Sequence, residues 1–383
     1  MDSGSPSGRA SEAPMASPSK RQKVDADTDG RGRSLVTLQT SASTLSLDPA
    51  GGSIASFRLA SSTNPLCWDS AVHDQKDSSD SAPRPLGHFL CLDRWGPPSE
   101  AELANGMPYH GEASRARWDV QPEGPDGEGL RLLAKLPLAG LSAKRRARLL
   151  EVTGALANKA AVAVFEDEVQ NDAKLGRMYN MVQHPSIAPP FLTRETRVDC
   201  NGLRGFTQCA REAVSALSWA TPMKFPEART SSTRDARQMT GGPDDVFSYE
   251  VDPSSSHGWV TAYTPDQKLL LGYVWPRAHY PWVSLWCSSA GEDPKARGLE
   301  FGTTGLHQPF PVLSQHPRIF DLPTFEYLDA GESRQRSFAC FLLSISEDFA
   351  GVESVSVASD TLVLCERGGR WHEIRSSSCL FGA

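Results

Sequence analysis

Polar and apolar side chains alternate in one short stretch after another along almost the whole chain. SLVTLQT and STLSLDP open the series, followed by AGGSIASFRLA, LRLLAKLPL, RARLLEVTGAL and AAVAVFEDEV. LLLGYVW, WVSLWCSS, FACFLLSI and ESVSVASDTLVL carry it into the C-terminal part. A period of two puts every second side chain on one face of a strand, so each stretch reads as a strand with a buried face. The chain has 31 Gly and 28 Pro among 383 residues, which suits many turns between short strands. Only CAREAVSALSW, Cys209 to Trp219, has a helical pattern. The expected fold is therefore all-β, a large β-sandwich of antiparallel sheets, and not an α/β fold.

Residues 1–33 are rich in Ser, Gly, Pro, Asp and Arg and almost lack large apolar groups. Such a segment buries too little surface to offset its chain entropy, so it reads as a disordered tail preceding one domain over 34–383. Within it, Lys20, Arg21 and Lys23 form a short basic cluster that would also suit nuclear entry. The net charge of -7 gives no global basic field, so nucleic acid is not an expected partner. No apolar run is long enough to span a bilayer and no secretory leader is evident, so no membrane partner is expected and a cytoplasmic location is. The eight Cys show no zinc-like spacing; they read as reduced thiols, with no metal and no cofactor called for.

Three motifs carry candidate chemistry. MPYHGEASRARW contains His110 followed by Gly111, which lets the backbone turn tightly and leaves the imidazole room to enter a cleft. NMVQHPSIAPPFL contains His184, held extended by Pro185, with Asn180 and Gln183 close by in sequence. RGLEFGTTGLHQPFP contains Glu300 between Leu299 and Phe301, where a partly desolvated carboxyl would have a raised pKa. Two imidazoles and a carboxylate suffice to move protons on and off a sugar hemiacetal. Each motif also has a plainer reading: His110 as a loop residue, His184 as a strand-end residue, and Glu300 pointing outward from a strand while its neighbours point inward. A fourth stretch, GYVWPRAHYPWVSLW, places Trp282 and Trp286 at the same strand parity, so either could be a flat platform for a sugar ring.

Taken in order, these motifs resemble the galactose mutarotase-like superfamily, in particular its aldose 1-epimerase-like members. The resemblance runs over roughly residues 35–345. His110-Gly111 with Trp118 is similar to the family's first His motif, and His184 with Asn171 and Asn180 to its second. Glu300 in LEFGT, followed by PFP and Ala330-Gly331-Glu332, is similar to the motif of its general base. The second motif departs from the pattern, reading His-Pro where typical mutarotases have His-Tyr-Phe-Asn. Arg94 is the counterpart of a substrate-contacting Arg, and the family's substrate-binding Asp has no clear counterpart. Ser114 stands near the position where the hexose-phosphate branch carries Arg, with Arg115 beside it. The resemblance implies a β-supersandwich and interconversion of the α and β anomers of an aldose. Glu300 would be the base, His184 the acid at the ring oxygen, and His110 would polarise or share that role. Arg94, Asn180, Gln183, Trp282 and Trp286 would contact a monosaccharide or other carbohydrate. The alternatives are a non-catalytic carbohydrate-binding protein on the same fold, or an accessory domain of a lyase or glycosidase.

Overall fold

The computed structural model describes residues 1, 23–28, 32–74, 82–124, 128–208, 218–229, 232–239 and 244–382. Among them two large antiparallel sheets lie face to face. The larger has twelve strands. From one edge it runs Lys23–Thr28, Ser34–Gln39, Ser43–Asp48, Ser53–Leu59, His88–Asp93, Arg177–Ile187 and Asp293–Gly302. It then continues through Trp282–Ala290, Asp245–Val251, Gly202–Gln208 and Met223–Lys224, with Glu326–Leu328 paired beside Arg177–Ile187. The second has eight strands, with Ser333–Ser344 and Ala160–Asn171 at its centre.

The alternation read from the sequence now acquires directions. On the strand Arg177–Ile187, the odd residues Tyr179, Met181 and Ile187 join the core between the two sheets. Leu299 and Phe301 do the same from Asp293–Gly302, and Leu271, Tyr273, Phe338 and Leu342 meet them from the opposite sheet. The even residues from Asn180 to Ser186 and from Ala296 to Gly302 face away from that core, yet they too are buried. Burial on both faces arises because loops cover the outer face of the large sheet. A third layer covers the far face of the eight-stranded sheet. It comprises Val352–Ala358, Thr361–Glu366, Trp371–Ser376 and Val152–Thr153, and packs Leu362, Leu364 and Ile374 onto Val162, Leu270 and Phe341.

A buried polar cluster ties the two main sheets together. Arg145 forms a two-pronged ion pair with Asp167, at 2.7 and 2.8 Å, and donates to Gln183 Oε1 at 3.0 Å across the core. Gln183 donates in turn to Asp167 at 2.7 Å, and its Oε1 lies 3.0 Å from His88 Nε2.

Two expectations change. Lys23–Thr28, read as part of the tail, is a strand paired antiparallel with Ser34–Gln39. Residues 2–22 and 29–31 of that tail, Lys20 and Arg21 among them, lie outside the described residues, as do 209–217 of the helical candidate. Of that candidate, Ser218 and Trp219 open the single 3-10 turn Ser218–Ala220. No described helix is long and apolar enough to cross a membrane.

Candidate active site

His184 and Glu300 sit on neighbouring strands whose register pairs Val182 with Gly302 and Gln183 with Phe301. The same register puts His184 directly across from Glu300. On its other side His184 pairs with Phe89, and Glu300 pairs with Ser284. One rung of the sheet therefore carries Phe89, His184, Glu300 and Ser284 side by side on the outer face. The strand geometry alone thus juxtaposes the imidazole and the carboxyl: His184 Nε2 lies 3.3 Å from Glu300 Oε2.

The sequence reading was right that Glu300 points away from Leu299 and Phe301, but that direction does not lead to solvent. Glu300 is 1% exposed, at the floor of a cleft of about 290 Å³. Its desolvation comes from the walls: Trp95 donates its indole N–H to Glu300 Oε2 at 2.6 Å, and Phe89 stacks on His184 at 4.2 Å. Gly298, on the same face one rung along, makes room for the carboxyl. A Cβ there would stand 2.7 Å from Glu300 Oε1. Burial pushes the Glu300 carboxyl up to about 8, with the Trp95 hydrogen bond pulling the other way. It holds His184 down to about 3. Ser186 Oγ donates to the His184 carbonyl at 3.3 Å, which leaves it to accept from His184 Nδ1 at 2.9 Å. Nε2 is then the proton-accepting atom, and it faces a carboxyl that burial keeps protonated.

His110 arrives by a different route. Its φ is +66° and that of Gly111 is +76°, a left-handed turn after the helix Glu100–Ala104. Gly111 has to be glycine because a Cβ would lie 2.0 Å from the Leu92 carbonyl. The turn is clamped to Gly96 by two bonds: His110 N–H donates to its carbonyl at 3.0 Å, and Gly96 N–H donates to His110 Nδ1 at 3.1 Å. An accepting Nδ1 leaves Nε2–H as the donor of the neutral ring. The ring centroids of His110 and His184 are 5.3 Å apart. Burial lowers the pKa of His110 well below the usual histidine range.

Trp286 lines the cleft, with its ring 5.9 Å from His184. The other sequence candidates are placed elsewhere. Trp282 is fully buried under Phe206, Leu306 and Phe310. Arg94 is 2% exposed and ion-paired with Asp93 and Glu102, outside the cleft lining. Asn180 is buried between Thr303 and the Thr324 carbonyl, and Asn171 caps the carbonyls of Leu175, Leu328 and Asp329. Gln183 is one residue from His184 and so faces the opposite way, into the core between the sheets. Trp118 donates to the Ala113 carbonyl and packs over Gly52.

Sequence reasoning passed over several cleft residues. Trp95 and His307 stand edge to face at 4.8 Å, and Tyr109 OH lies 3.1 Å from His307 Nε2. His307 belongs to the quoted Glu300 motif and Tyr109 to the His110 motif, so their positions in sequence were the available signal. Trp68 and His73 enter from a stretch that reads as a polar loop, where nothing marks them out. Arg115, beside the buried Ser114, is exposed at the cleft and is its one Arg or Lys among the described residues. No group of three His, Cys, Asp or Glu among the described residues is arranged to hold a metal ion.

Comparison of the whole fold with solved structures places it. A candidate aldose 1-epimerase from Klebsiella pneumoniae superposes with a TM-score of 0.57 over 85% of this chain and 83% of that one, at 15% identity. A galactose mutarotase-like protein from Clostridium acetobutylicum matches at 0.55, 12% identity, over 85% and 99% of the two chains. The fold is galactose mutarotase-like. A galactose mutarotase related enzyme from Lactobacillus acidophilus agrees, at 0.54 and 14% identity over 82% of this chain and 98% of that one. No protein-family model and no curated protein matches the sequence. The galactose mutarotase-like architecture is thus carried here by strand pattern and packing, on a sequence no more than 15% identical to those of these structures.

Proposed function

We propose that the cleft interconverts the α and β anomers of an aldose. The observation that carries this reading is the 3.3 Å approach of His184 Nε2 to Glu300 Oε2 at the floor of a walled cleft. Anomer exchange needs a base for the C1 hydroxyl and an acid for the ring oxygen. Both oxygens are bonded to the same carbon, so the two groups have to stand side by side. The Glu300–His184 pair meets that need with one proton. Between the depressed value of His184 and the raised value of Glu300, the pair holds a single proton and carries no net charge. Passing that proton from carboxyl to imidazole creates the base and the acid together.

In the forward step, Glu300 takes the C1 hydroxyl proton while His184 protonates the ring oxygen. The C1–O5 bond breaks and an open-chain aldehyde forms. Rotation about C1–C2 exposes the other face. As the C5 hydroxyl attacks C1, His184 takes back its proton from that oxygen and Glu300 returns its proton to the aldehyde oxygen, which closes the ring with the opposite anomeric configuration. His110, with Nε2–H as donor, would polarise an oxygen of the substrate, and Trp286 offers an aromatic surface beside the reacting pair.

Two-dimensional NMR exchange spectroscopy on freshly dissolved aldoses tests the reading. Glu300→Gln keeps size and hydrogen bonding but removes the base, so exchange should fall by about 10²–10⁴-fold with binding retained. A competing reading, a carbohydrate-binding protein without turnover, draws on the protonated state of Glu300 near neutral pH, since a neutral carboxyl suits binding of a hydroxyl. Binding without exchange in the unmodified protein would favour that second reading, and full exchange activity in the Gln variant would remove Glu300 from the role of base.

A further inference from the structure

The cleft has more aromatic wall than one pyranose at the Glu300–His184 pair would use. On one side of His184 lie His110, His307, Tyr109 and Trp95, close around the reacting pair. On the other side the cleft continues into a corner of three rings. Trp68 and Trp286 meet edge to face at 5.8 Å, His73 stands 5.4 Å from Trp286, and it lies 5.8 Å from Trp68. Phe89 joins the two arms, stacked on His184 at 4.2 Å and on Trp68 at 5.7 Å.

Two further observations mark this corner as a place for a ligand. Trp68 is 8% exposed, and its indole N–H has no hydrogen-bond partner among the described residues. A buried N–H without a partner is costly, and an acceptor on a ligand would remove that cost. The rim beyond is open and polar: His73 is half-buried, and Asp74 and Asp244 are exposed. Flat aromatic faces match the C–H face of a sugar ring, and an indole N–H matches a sugar hydroxyl.

From this we infer that the Trp68–His73–Trp286 corner is a second ring subsite, and that the preferred substrate is an aldose carrying a further sugar unit, the reducing end of a disaccharide or longer chain. The inference rests on the proposed anomer exchange only for where the reducing carbon sits. The first ring would lie at Glu300 and His184, with the glycosidic substituent running out over Trp286 toward Trp68 and His73.

The test compares glucose and galactose with maltose, cellobiose and galactobiose, whose reducing ends are those same sugars. Anomer exchange gives kcat/KM, and quenching of tryptophan fluorescence gives Kd. At least one disaccharide should exceed its own reducing-end monosaccharide by about tenfold in kcat/KM or in affinity, a difference of ~1.4 kcal/mol. Trp68→Phe keeps the aromatic face and removes the N–H. It should cut the disaccharide preference by roughly 2- to 10-fold, the worth of one hydrogen bond, and leave the monosaccharide kcat/KM unchanged. His73→Ala, at a half-buried position, should act in the same direction. A panel in which no disaccharide is preferred overturns the subsite, as does an equal loss for both sugar classes in both variants. Preferred binding of a disaccharide without exchange would keep the subsite and remove the anomer-exchange reading.

Discussion

At the scale of single residues, the site depends on what holds one proton between Glu300 and His184. The Trp95 N–H favours the ionised carboxylate, while burial opposes it more strongly. The working form proposed for the pair retains one proton in total. Accordingly kcat/KM should be level below about 8 and should fall as the pH rises through that value, where the pair loses its proton. Trp95→Phe removes the hydrogen bond that lowers the Glu300 pKa, so this alkaline limb should move to higher pH. A stopped-flow or NMR pH–rate profile on both proteins checks the shift. A rate that rises through the Glu300 pKa would show instead that Glu300 works alone as a base. Gly298 serves the same carboxyl by the absence of a side chain, a role no sequence motif announces.

At the scale of elements, a register and a turn bring the histidines in. His184 meets Glu300 because two adjacent strands are paired in one register, and a slip of one residue would send His184 into the inter-sheet core in place of Gln183. His110 depends on a left-handed turn pressed against Leu92, with a parallel bridge between Leu92 and Gly111. Gly111→Ala places a Cβ within 2.0 Å of the Leu92 carbonyl at a positive φ. We expect a loss of roughly 1–3 kcal/mol in stability, measured by denaturant melts, together with reduced exchange as His110 is displaced. Unchanged melts and activity would mean that the turn is not needed. The Gly after His110 was legible in the sequence as a turn, as was the two-residue alternation around Glu300. The pairing of the His184 strand with the Glu300 strand was not, because it joins residues more than a hundred positions apart.

At the scale of the whole molecule, buried histidines make stability depend on pH. His88 is fully buried and His184 is 5% exposed, and burial lowers both pKa values, that of His184 to about 3. Below about 6.5 the unfolded chain binds protons that these folded histidines refuse, so stability falls with falling pH by up to ~1.4 kcal/mol per unit for each. Glu300 acts in the opposite sense. Its raised pKa means the folded protein binds the extra proton between about 4.5 and 8, so its contribution is lost as the pH rises through that window. Burial lowers His110 and His307 as well, and together the four histidines outweigh Glu300 in acid. The melting temperature should therefore drop between pH 6.5 and 4.5, and His184→Asn should soften the drop. A melting temperature that stays level or rises on acidification would contradict this. Such buried polar groups persist because the Arg145–Asp167–Gln183–His88 cluster satisfies most of them across the two sheets.

Alternation of side chains is a local property, and it was enough to give the all-β class, the strand-rich body and the parity of Glu300 against its neighbours. Motif order was enough to nominate Glu300, His184 and His110. What lay beyond the strand face was decided only in three dimensions. The loops that cover the large sheet make its outer face a desolvated cleft and not a solvated surface, which is why Glu300 points outward and is nevertheless 1% exposed. The same packing seals Trp282 beneath Phe206 and Phe310, leaves Trp286 open, and pairs Arg94 with Asp93 and Glu102. It also brings Trp68, Trp95 and His307 to the cleft from separate parts of the chain. Burial and hydrogen-bond partnership are sums over all neighbours in space, and a linear sequence lists only the neighbours along the chain.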